Sequence, residues 1–572
     1  MSALLLLKTA HSLHDIANLL AIKPAHLSYV LYKKPVVLKY TTFTIPKKYG
    51  GARTINAPIA DLKHIQSQLA GLLLKCWEEL SDKYGRQAAH GFVSDRSIFT
   101  NAHAHRGRAN VFNVDLADFF GGFNFGRVRG FFIRDKDFLL DPAVATVIAQ
   151  IACHNNALPQ GSPASPIITN LIGNILDTRL VRLAQRANCT YTRYADDLTF
   201  STNLSEFPSE VAVLRAGNWH VGDKLGKVIT ASGFVVNTSK VRMQYEDSQQ
   251  LVTGLVVNRK ANVPTKYRAT LRAMAHRFFR TGAFHHEIWV KDPLTGVLGK
   301  QSNLGEPAQL QGMFAHVEHA DQFNRRVRVL SDTDAPGRHR LYRRLFFYIQ
   351  FFAAPSPVIL CEGKTDNVYM THAIRSRAAV FPDLAAVDPA SGAVSLKLRI
   401  YKYVNKSAGR ILQLSGGQGE LGKFVSHYLH DVGKFFKAKG ASQYPVILLV
   451  DHDEGGKGVY QSARKIVKKP LDMKKPFEHV AGNLYLVATP LAGGAVESCI
   501  EDCFKPATLS TPLGGKKFNY KSSPIDEATE YGKAYFAEHV VRANATTIDF
   551  TGFDALLDRL RQVLAHYATV PK

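Results

Sequence analysis

The chemistry in this chain is carried by aspartates set at the ends of apolar runs. Val111-Phe-Asn-Val-Asp115-Leu-Ala-Asp-Phe-Phe120 places one aspartate at the end of an apolar strand. Tyr191-Thr-Arg-Tyr-Ala-Asp196-Asp197-Leu-Thr-Phe-Ser201 places two more between aromatic flanks, the pattern of a tight hairpin tip. Carboxylates crowded in partly apolar surroundings repel one another and, when ionised, need a compensating cation. A pair of Mg²⁺ ions is the usual solution, one activating an attacking hydroxyl and the other holding a triphosphate and its leaving group. Asp-Asp is also a common solvated turn, and the dipeptide alone leaves both readings open. A second acidic set lies downstream. Val358-Ile-Leu-Cys-Glu362-Gly363-Lys-Thr-Asp366 reads as a strand ending in glutamate, then a turn and a helix, and Val446-Ile-Leu-Leu-Val-Asp451-His-Asp453-Glu454 as a strand ending in Asp-x-Asp. Side chains at strand C-termini of an α/β sheet converge on one crevice, so Glu362, Asp451 and Asp453 could share a Mg²⁺.

Two other strings are decoys. Gly417-Gln-Gly-Glu-Leu-Gly422-Lys423 mimics a P-loop, but Phe424 stands where a Ser or Thr would hold Mg²⁺. His286-Glu287 lacks the second histidine of a zinc protease.

The elements that must position these residues follow from patterning. Helical spacing covers His11 to Leu20 and Asp61 to Leu80, and β-branched and aromatic residues flanking Gly50-Gly51 predict a hairpin. Between Asn110 and Val257 short apolar strands alternate with helices, a sheet with helices packed on it. A basic-aromatic helix from Arg338 to Phe352 stops at Ala353-Ala-Pro-Ser-Pro357, the best domain boundary in the chain. Beyond it the buried-strand patterns predict a second α/β unit with a parallel sheet.

Composition bounds the function. Across 572 residues, 72 Lys and Arg against 47 Asp and Glu leave a net charge of +25, which predicts a polyanionic partner. The apolar run Leu4 to Leu7 is far short of a signal core or a membrane span, so a cytoplasmic protein with no membrane partner is expected. The six cysteines form no C-x-x-C pair, which argues against disulfide frameworks and zinc ribbons. Charged residues at 21% and recurrent apolar runs exclude a disordered chain.

Leu158-Pro-Gln-Gly-Ser-Pro-Ala-Ser-Pro166 completes a series. Asp115, then Leu-Pro-Gln-Gly, then Tyr-Ala-Asp-Asp, in that order, resembles reverse transcriptases over residues 40 to 260. The resemblance implies a right hand of fingers, palm and thumb, with Asp115, Asp196 and Asp197 as the triad holding two Mg²⁺, or alternatively Mn²⁺. It implies that Lys47 or Lys48 and Arg53 clamp the incoming deoxynucleoside triphosphate. Phe120 would crowd the sugar 2′-position, Gln160 would touch the template-primer, and Lys240 would lie near the pyrophosphate. Phe120 as plain core and Lys240 as a surface charge stay open.

Asn101-Ala-His-Ala-His105 and Val252-Thr253-Gly254 fit the Asn-Ala-x-x-His and Val-Thr-Gly strings of retron reverse transcriptases. Such enzymes bind their own structured non-coding RNA and copy part of it into a branched RNA–DNA hybrid (msDNA), and the resemblance implies that Asn101, His105, Val252, Thr253 and Gly254 contact that nucleic acid. Folded RNA is recognised by shape, phosphate and 2′-hydroxyl contacts. Arg259 to Arg280 holds seven Lys or Arg and no acid. Arg259, Lys260, Lys266, Arg268 and Arg272 would therefore track a nucleic-acid backbone, as Arg338, Arg340, Arg343 and Arg344 would less directly.

Glu-Gly after one strand and Asp-x-Asp after another resemble a TOPRIM domain, the metal-binding unit of topoisomerases, bacterial primases and OLD-type nucleases. The resemblance covers about 358 to 505 and implies one or two Mg²⁺. Glu497-Ser-Cys-Ile-Glu501-Asp502 resembles the acidic segment that nuclease members add for a second metal; an ordinary helix terminus stays open. Gly416-Gly417 would shape a TOPRIM loop. With no zinc ribbon for a primase and no tyrosine-bearing companion domain for a topoisomerase, a phosphodiester nuclease is left.

The expected organisation is thus multidomain, α/β and α+β. Fingers and palm span 1–250, a thumb and basic helical region 251–352, a linker 353–357, a TOPRIM-like nuclease 358–505 and a helical extension 506–572. In this family such a fusion implies anti-phage defence, with the nuclease as effector on a nucleic-acid target. A group II intron-like enzyme with a different accessory role, a non-catalytic RNA scaffold, and the assembly state all stay open.

Overall fold

The computed structural model describes residues 2–46, 52–85, 88–292, 295, 297–328, 336–403, 407–414, 418–521 and 524–571. The chain divides into two compact units. One holds Met1–Arg268, Glu287–Gln301 and His316–Asp332, the other Ala269–His286, Ser302–Ala315 and Thr333–Lys572. The chain therefore passes between units within the expected thumb region, rather than parting once at Pro355-Ser-Pro357.

The first unit is built on one antiparallel sheet. Its central strand, Asn110–Ala117, pairs on one side with Asp197–Thr202, which in turn pairs with Thr190–Tyr194. On the other side it pairs with Arg242–Tyr245 and Val235–Val236. Seven-residue strands Tyr40–Pro46 and Ala52–Pro58 pair antiparallel, as the two arms of the expected hairpin should, while Lys47 and Lys48 lie outside the described residues. Apolar residues on the helices Ala60–Tyr84, Pro142–Ala152 and Ser165–Arg186 join Phe112, Leu198 and Phe200 of the sheet in one core. Ser165–Arg186 takes its proline in the first turn, where a missing N–H costs nothing.

The second unit holds a five-stranded sheet in the order Arg399–Ile400, Val358–Cys361, Val446–Val450, Leu484–Ala488, Glu478–Ala481. The first four strands run parallel and the last is antiparallel. Val358–Cys361, Val446–Val450 and Leu484–Ala488 are buried along their whole length, as strands covered on both faces must be. Ile359, Ile447 and Tyr485 share a core with Leu556, Leu560 and Val563 of the helix Asp554–Thr569. The residues after 505 thus belong to the same packed body as the sheet. Among the described residues no helix is long and apolar enough to cross a membrane.

Candidate active sites

In the first unit, pairing brings the three aspartates together. Asp115 lies directly opposite Asp197 in antiparallel register, and the Leu116 amide donates to the Asp196 carbonyl at 3.0 Å. Asp196 occupies the two-residue turn between Tyr194 and Asp197, with Ala195 at φ +55°. A Cβ on Gly91 would fall 2.8 Å from the Ala195 nitrogen, so only glycine lets that segment approach the tip.

Behind the tip stands a pair that sequence reasoning missed. Arg193, fully buried on the strand leading to the turn, donates to Asp177 through Nε (2.9 and 3.1 Å) and Nη2 (2.7 Å). Its Nη1 donates to the Ala195 carbonyl at 3.2 Å, and Tyr191 donates to the same Asp177 at 2.8 Å. An aspartate among the mostly apolar buried positions of the helix Ser165–Arg186 was the one available signal. A buried carboxylate needs such a partner.

The Asp115 carboxylate accepts from Lys240 Nζ at 2.8 Å and from Asn237 Nδ2 at 3.0 Å. Lys240 is therefore part of the site rather than a free surface charge, and the Asp115 hydrogen bond holds its ammonium above the ordinary range. Burial, then the neighbouring Asp196 and Asp115, push Asp197 up to about 6. Burial and Asp115 also raise Asp196, against the opposing charges of Lys240 and Arg53. Arg53 thus faces the acids electrostatically from the exposed strand Ala52–Pro58. The same strand is tied to the Leu-Pro-Gln-Gly turn, since the Asn56 amide donates to the Gln160 carbonyl at 2.9 Å. Gly161 sits at φ +118°, and a Cβ there would meet the Asn56 oxygen at 2.9 Å. Phe120 is half-buried and meets Phe119 edge to face.

An open cavity of about 480 Å³ is lined by Asp115, Asp197, Lys240, Arg242, Thr253 and Gly254. Thr253 and Gly254, at φ +46° and +80°, form the tip of a two-residue hairpin between Leu251–Val252 and Leu255–Val256. The expected RNA contacts at Asn101, His105 and Val252 need correction: all three side chains are buried and cannot touch a nucleic acid. His105 instead bridges Ser201 (2.7 Å) and Thr192 (2.8 Å), pinning the helix Ile98–Ala104 to the two strands that carry the aspartate turn. Burial lowers its pKa to about 3. Lys266, Arg268 and Arg272 lie on the helix Thr265–Thr281. Arg259, Lys266 and Arg272 are exposed, while Lys260 and Arg268 are half-buried.

In the second unit, parallel register sets Cys361 beside Leu449, so Glu362 and Asp451 emerge side by side. The Asp451 amide donates to Glu362 Oε2 at 3.2 Å, and the Ile500 amide donates to Asp451 Oδ1 at 2.9 Å. Asp453 caps the helix Glu454–Val467 by accepting from the Gly456 amide at 2.9 Å. Two residues join that sequence reasoning missed. Asp366, four residues after Glu362 in the first turn of Asp366–Ser376, is buried and accepts from the Gly363 amide at 2.7 Å. Lys533 reaches the fully buried Glu501 at 3.0 Å, and no sequence signal links residues so far apart. Burial, then Asp366, Glu501 and Glu362, raise Asp451 to about 8. Burial, opposed by the Asp451 amide and assisted by Asp453 and Asp366, raises Glu362 to about 7. Asp502 accepts from the Cys499 amide (2.9 Å) and Tyr520 hydroxyl (3.0 Å), the role of a helix cap.

Among the described residues no three His, Cys, Asp or Glu side chains are gathered tightly enough to cage a metal by themselves. Both acidic sets nonetheless fit a divalent cation by donor chemistry. Each offers hard carboxylate oxygens whose crowding and burial already penalise negative charge.

Residues 45–267 match the reverse transcriptase (RNA-dependent DNA polymerase) family. The retron Mx162 reverse transcriptase of Myxococcus xanthus is 36% identical over 46% of this chain and 58% of its own length. The retron Mx65 enzyme of the same organism is 34% identical over 47% and 63%. This chain thus spans about six-tenths of these two relatives. The retron Ec86 reverse transcriptase of Escherichia coli is 32% identical over 48% of this chain and 80% of its own length. The carboxylate hairpin, the lysine on Asp115 and these matches together make the chain a member of the retron reverse transcriptase family.

Proposed function

We propose that the first unit copies part of a cognate structured RNA into RNA-linked single-stranded DNA from deoxynucleoside triphosphates. The observation that carries this reading is the opposition of Asp115 and Asp197 across paired strands, with Asp196 at the intervening tip. Mg²⁺ held by these three carboxylates would supply the electrophilic activation of hydroxyl and triphosphate. The chain's own residues supply position. Lys240 and Asn237 orient Asp115, while Arg193 fixes the turn and Arg53 faces incoming negative charge. The exposed cations Arg259, Lys266 and Arg272 favour phosphate contact.

The second unit is read as a TOPRIM-like, Mg²⁺-dependent phosphodiester nuclease that serves as a defence effector. Glu362, Asp366, Asp451, Asp453 and Glu501 would hold the metal. Their support is the adjacent parallel strand ends and the shared burial of the acids. The test sets two variants side by side. Asp197→Asn should abolish labelled deoxynucleotide incorporation on the cognate RNA while RNA binding persists. Asp451→Asn should leave incorporation near wild type and remove Mg²⁺-dependent cleavage and phage protection. Wild-type incorporation by the first variant sinks the triad, and full protection by the second sinks the nuclease reading.

A further inference from the structure

Behind Asp453, the helix Glu454–Val467 packs along the helix Gln418–Lys434 and the two enclose an open groove of about 360 Å³. One helix presents Gly419, Gly422, Lys423, Ser426 and His427 to it, at the i, i+3, i+4, i+7 and i+8 spacing of a single face. The other presents Gly455, Gly458 and Ser462. The groove therefore has a cationic and hydroxyl-bearing wall over a floor stripped of side chains.

The floor is not explained by packing. Glycine inside a helix is destabilising relative to alanine. A Cβ on Gly419 or Gly458 would nevertheless meet nothing within 4 Å, and neither residue has a positive φ. Among the described residues no neighbouring atom demands the missing side chains at these two positions, which leaves the floor open to close approach from outside the chain. At Gly422 the Cβ would stand 3.0 Å from Ser462 Oγ, so that glycine does serve helix contact.

The surroundings select the charge of the occupant. Burial lowers the proton affinity of His427, and the nearby Arg343 and Lys423 lower it further against Asp431, so two permanent cations stand near that wall. Arg343 lies over the Phe347 ring at 5.8 Å, and its buried Nε has no hydrogen-bond partner among the described residues. The groove also runs to the N-terminal turn of Glu454–Val467, whose Gly456 amide is already capped by the Asp453 carboxylate, so the cationic side chains and not the helix end attract an anion there. Resting on the reading of the second unit as a nucleic-acid enzyme, we propose that this groove seats the sugar-phosphate backbone of its substrate strand and leads it to Asp453.

The test uses the full chain with Ser426, on the exposed rim, replaced by the photo-cross-linker p-benzoylphenylalanine, and a second protein carrying the same group at exposed Ser391. Radiolabelled single-stranded DNA of about 20 nucleotides is bound in EDTA and irradiated. Cross-linking at 426 should exceed that at 391 by about tenfold. It should fall at least about fivefold when Gly419→Leu and Gly458→Leu fill the floor, or when Lys423→Gln and His427→Gln remove the ammonium and the imidazole that face the strand. Deoxynucleotide incorporation should stay unchanged in both pairs, and the thermal unfolding midpoint should not fall in either, the glycine replacements raising it if anything. Equal yields at 426 and 391, or a yield indifferent to filling, overturns the groove. If that happens while Asp451→Asn still removes Mg²⁺-dependent cleavage, the nuclease reading stands without it. A groove-dependent cross-link in a protein with no cleavage at all would leave the groove standing and remove the nuclease.

Discussion

Removing Asp177 tests whether the buried pair behind the aspartate turn holds the polymerase site. Arg193 has no exposed side-chain surface and makes three of its hydrogen bonds to Asp177. In Asp177→Ala the guanidinium keeps only its longer contacts to the Ala195 carbonyl (3.2 Å) and Asn170 Oδ1 (3.3 Å), and Tyr191 loses its acceptor. Breaking a buried pair by removing one partner costs about 3–5 kcal/mol, because a charge stays buried without compensation. The orphaned Tyr191 hydroxyl adds about 1 kcal/mol. Against a typical domain stability of about 5–15 kcal/mol, the first unit should survive but melt far earlier. Replacing both partners by apolar side chains, Asp177→Leu with Arg193→Met, should recover most of the loss, since neither charge then needs solvating. All three tryptophans, Trp77, Trp219 and Trp289, belong to the first unit, so urea titration by fluorescence reports its unfolding. Deoxynucleotide incorporation should stay low in the double variant, because the contact from residue 193 to the Ala195 carbonyl is gone. A single-variant loss under about 1 kcal/mol, or a double variant as unstable as the single, refutes the pair's role.

Three further outcomes follow from the same geometry. Phe120→Ala should raise the use of ribonucleotides relative to deoxynucleotides, because the exclusion is steric; an unchanged ratio would make Phe120 plain core. His105 is held near pKa 3 in the folded unit against about 6.5 when unfolded, so the native state binds fewer protons between those values. Stability should fall as pH drops below about 6.5, by about 2 kcal/mol at pH 5 from this group alone, and the stability gap between wild type and His105→Gln should shrink by that amount. A constant gap in paired urea titrations contradicts the assignment. Gly161→Ala should weaken the bond from the Asn56 amide to the Gln160 carbonyl and lower incorporation with RNA affinity little changed, since the φ of +118° and a Cβ only 2.9 Å from the Asn56 oxygen both oppose a side chain. Unaltered incorporation in that variant would detach the Leu-Pro-Gln-Gly turn from the site.

Much of the site was legible before any coordinates, and the reason is local. Asp115, Asp196 and Asp197 are marked by apolar strand patterns and a turn, signals that operate over a few residues. The paired strands around Gly50-Gly51, the long helices and the buried parallel strands before Glu362 and Asp451 are legible for the same reason: period and length are written in consecutive residues. What tertiary structure decided is everything that depends on distance along the chain. Lys240 lies 125 residues from the Asp115 carboxylate it binds, and Lys533 lies 32 from Glu501, with nothing in either segment to announce the pairing. Asn101 and His105 look like exposed contacts in a string but are buried, because burial is set by which strands the helix Ile98–Ala104 meets. The two units likewise part within the stretch read as thumb, since compactness follows packing partners and not the proline that breaks the chain. The charge of an aspartate is fixed by its residue type; whether it stays ionised, and beside what, is fixed by the fold that desolvates it.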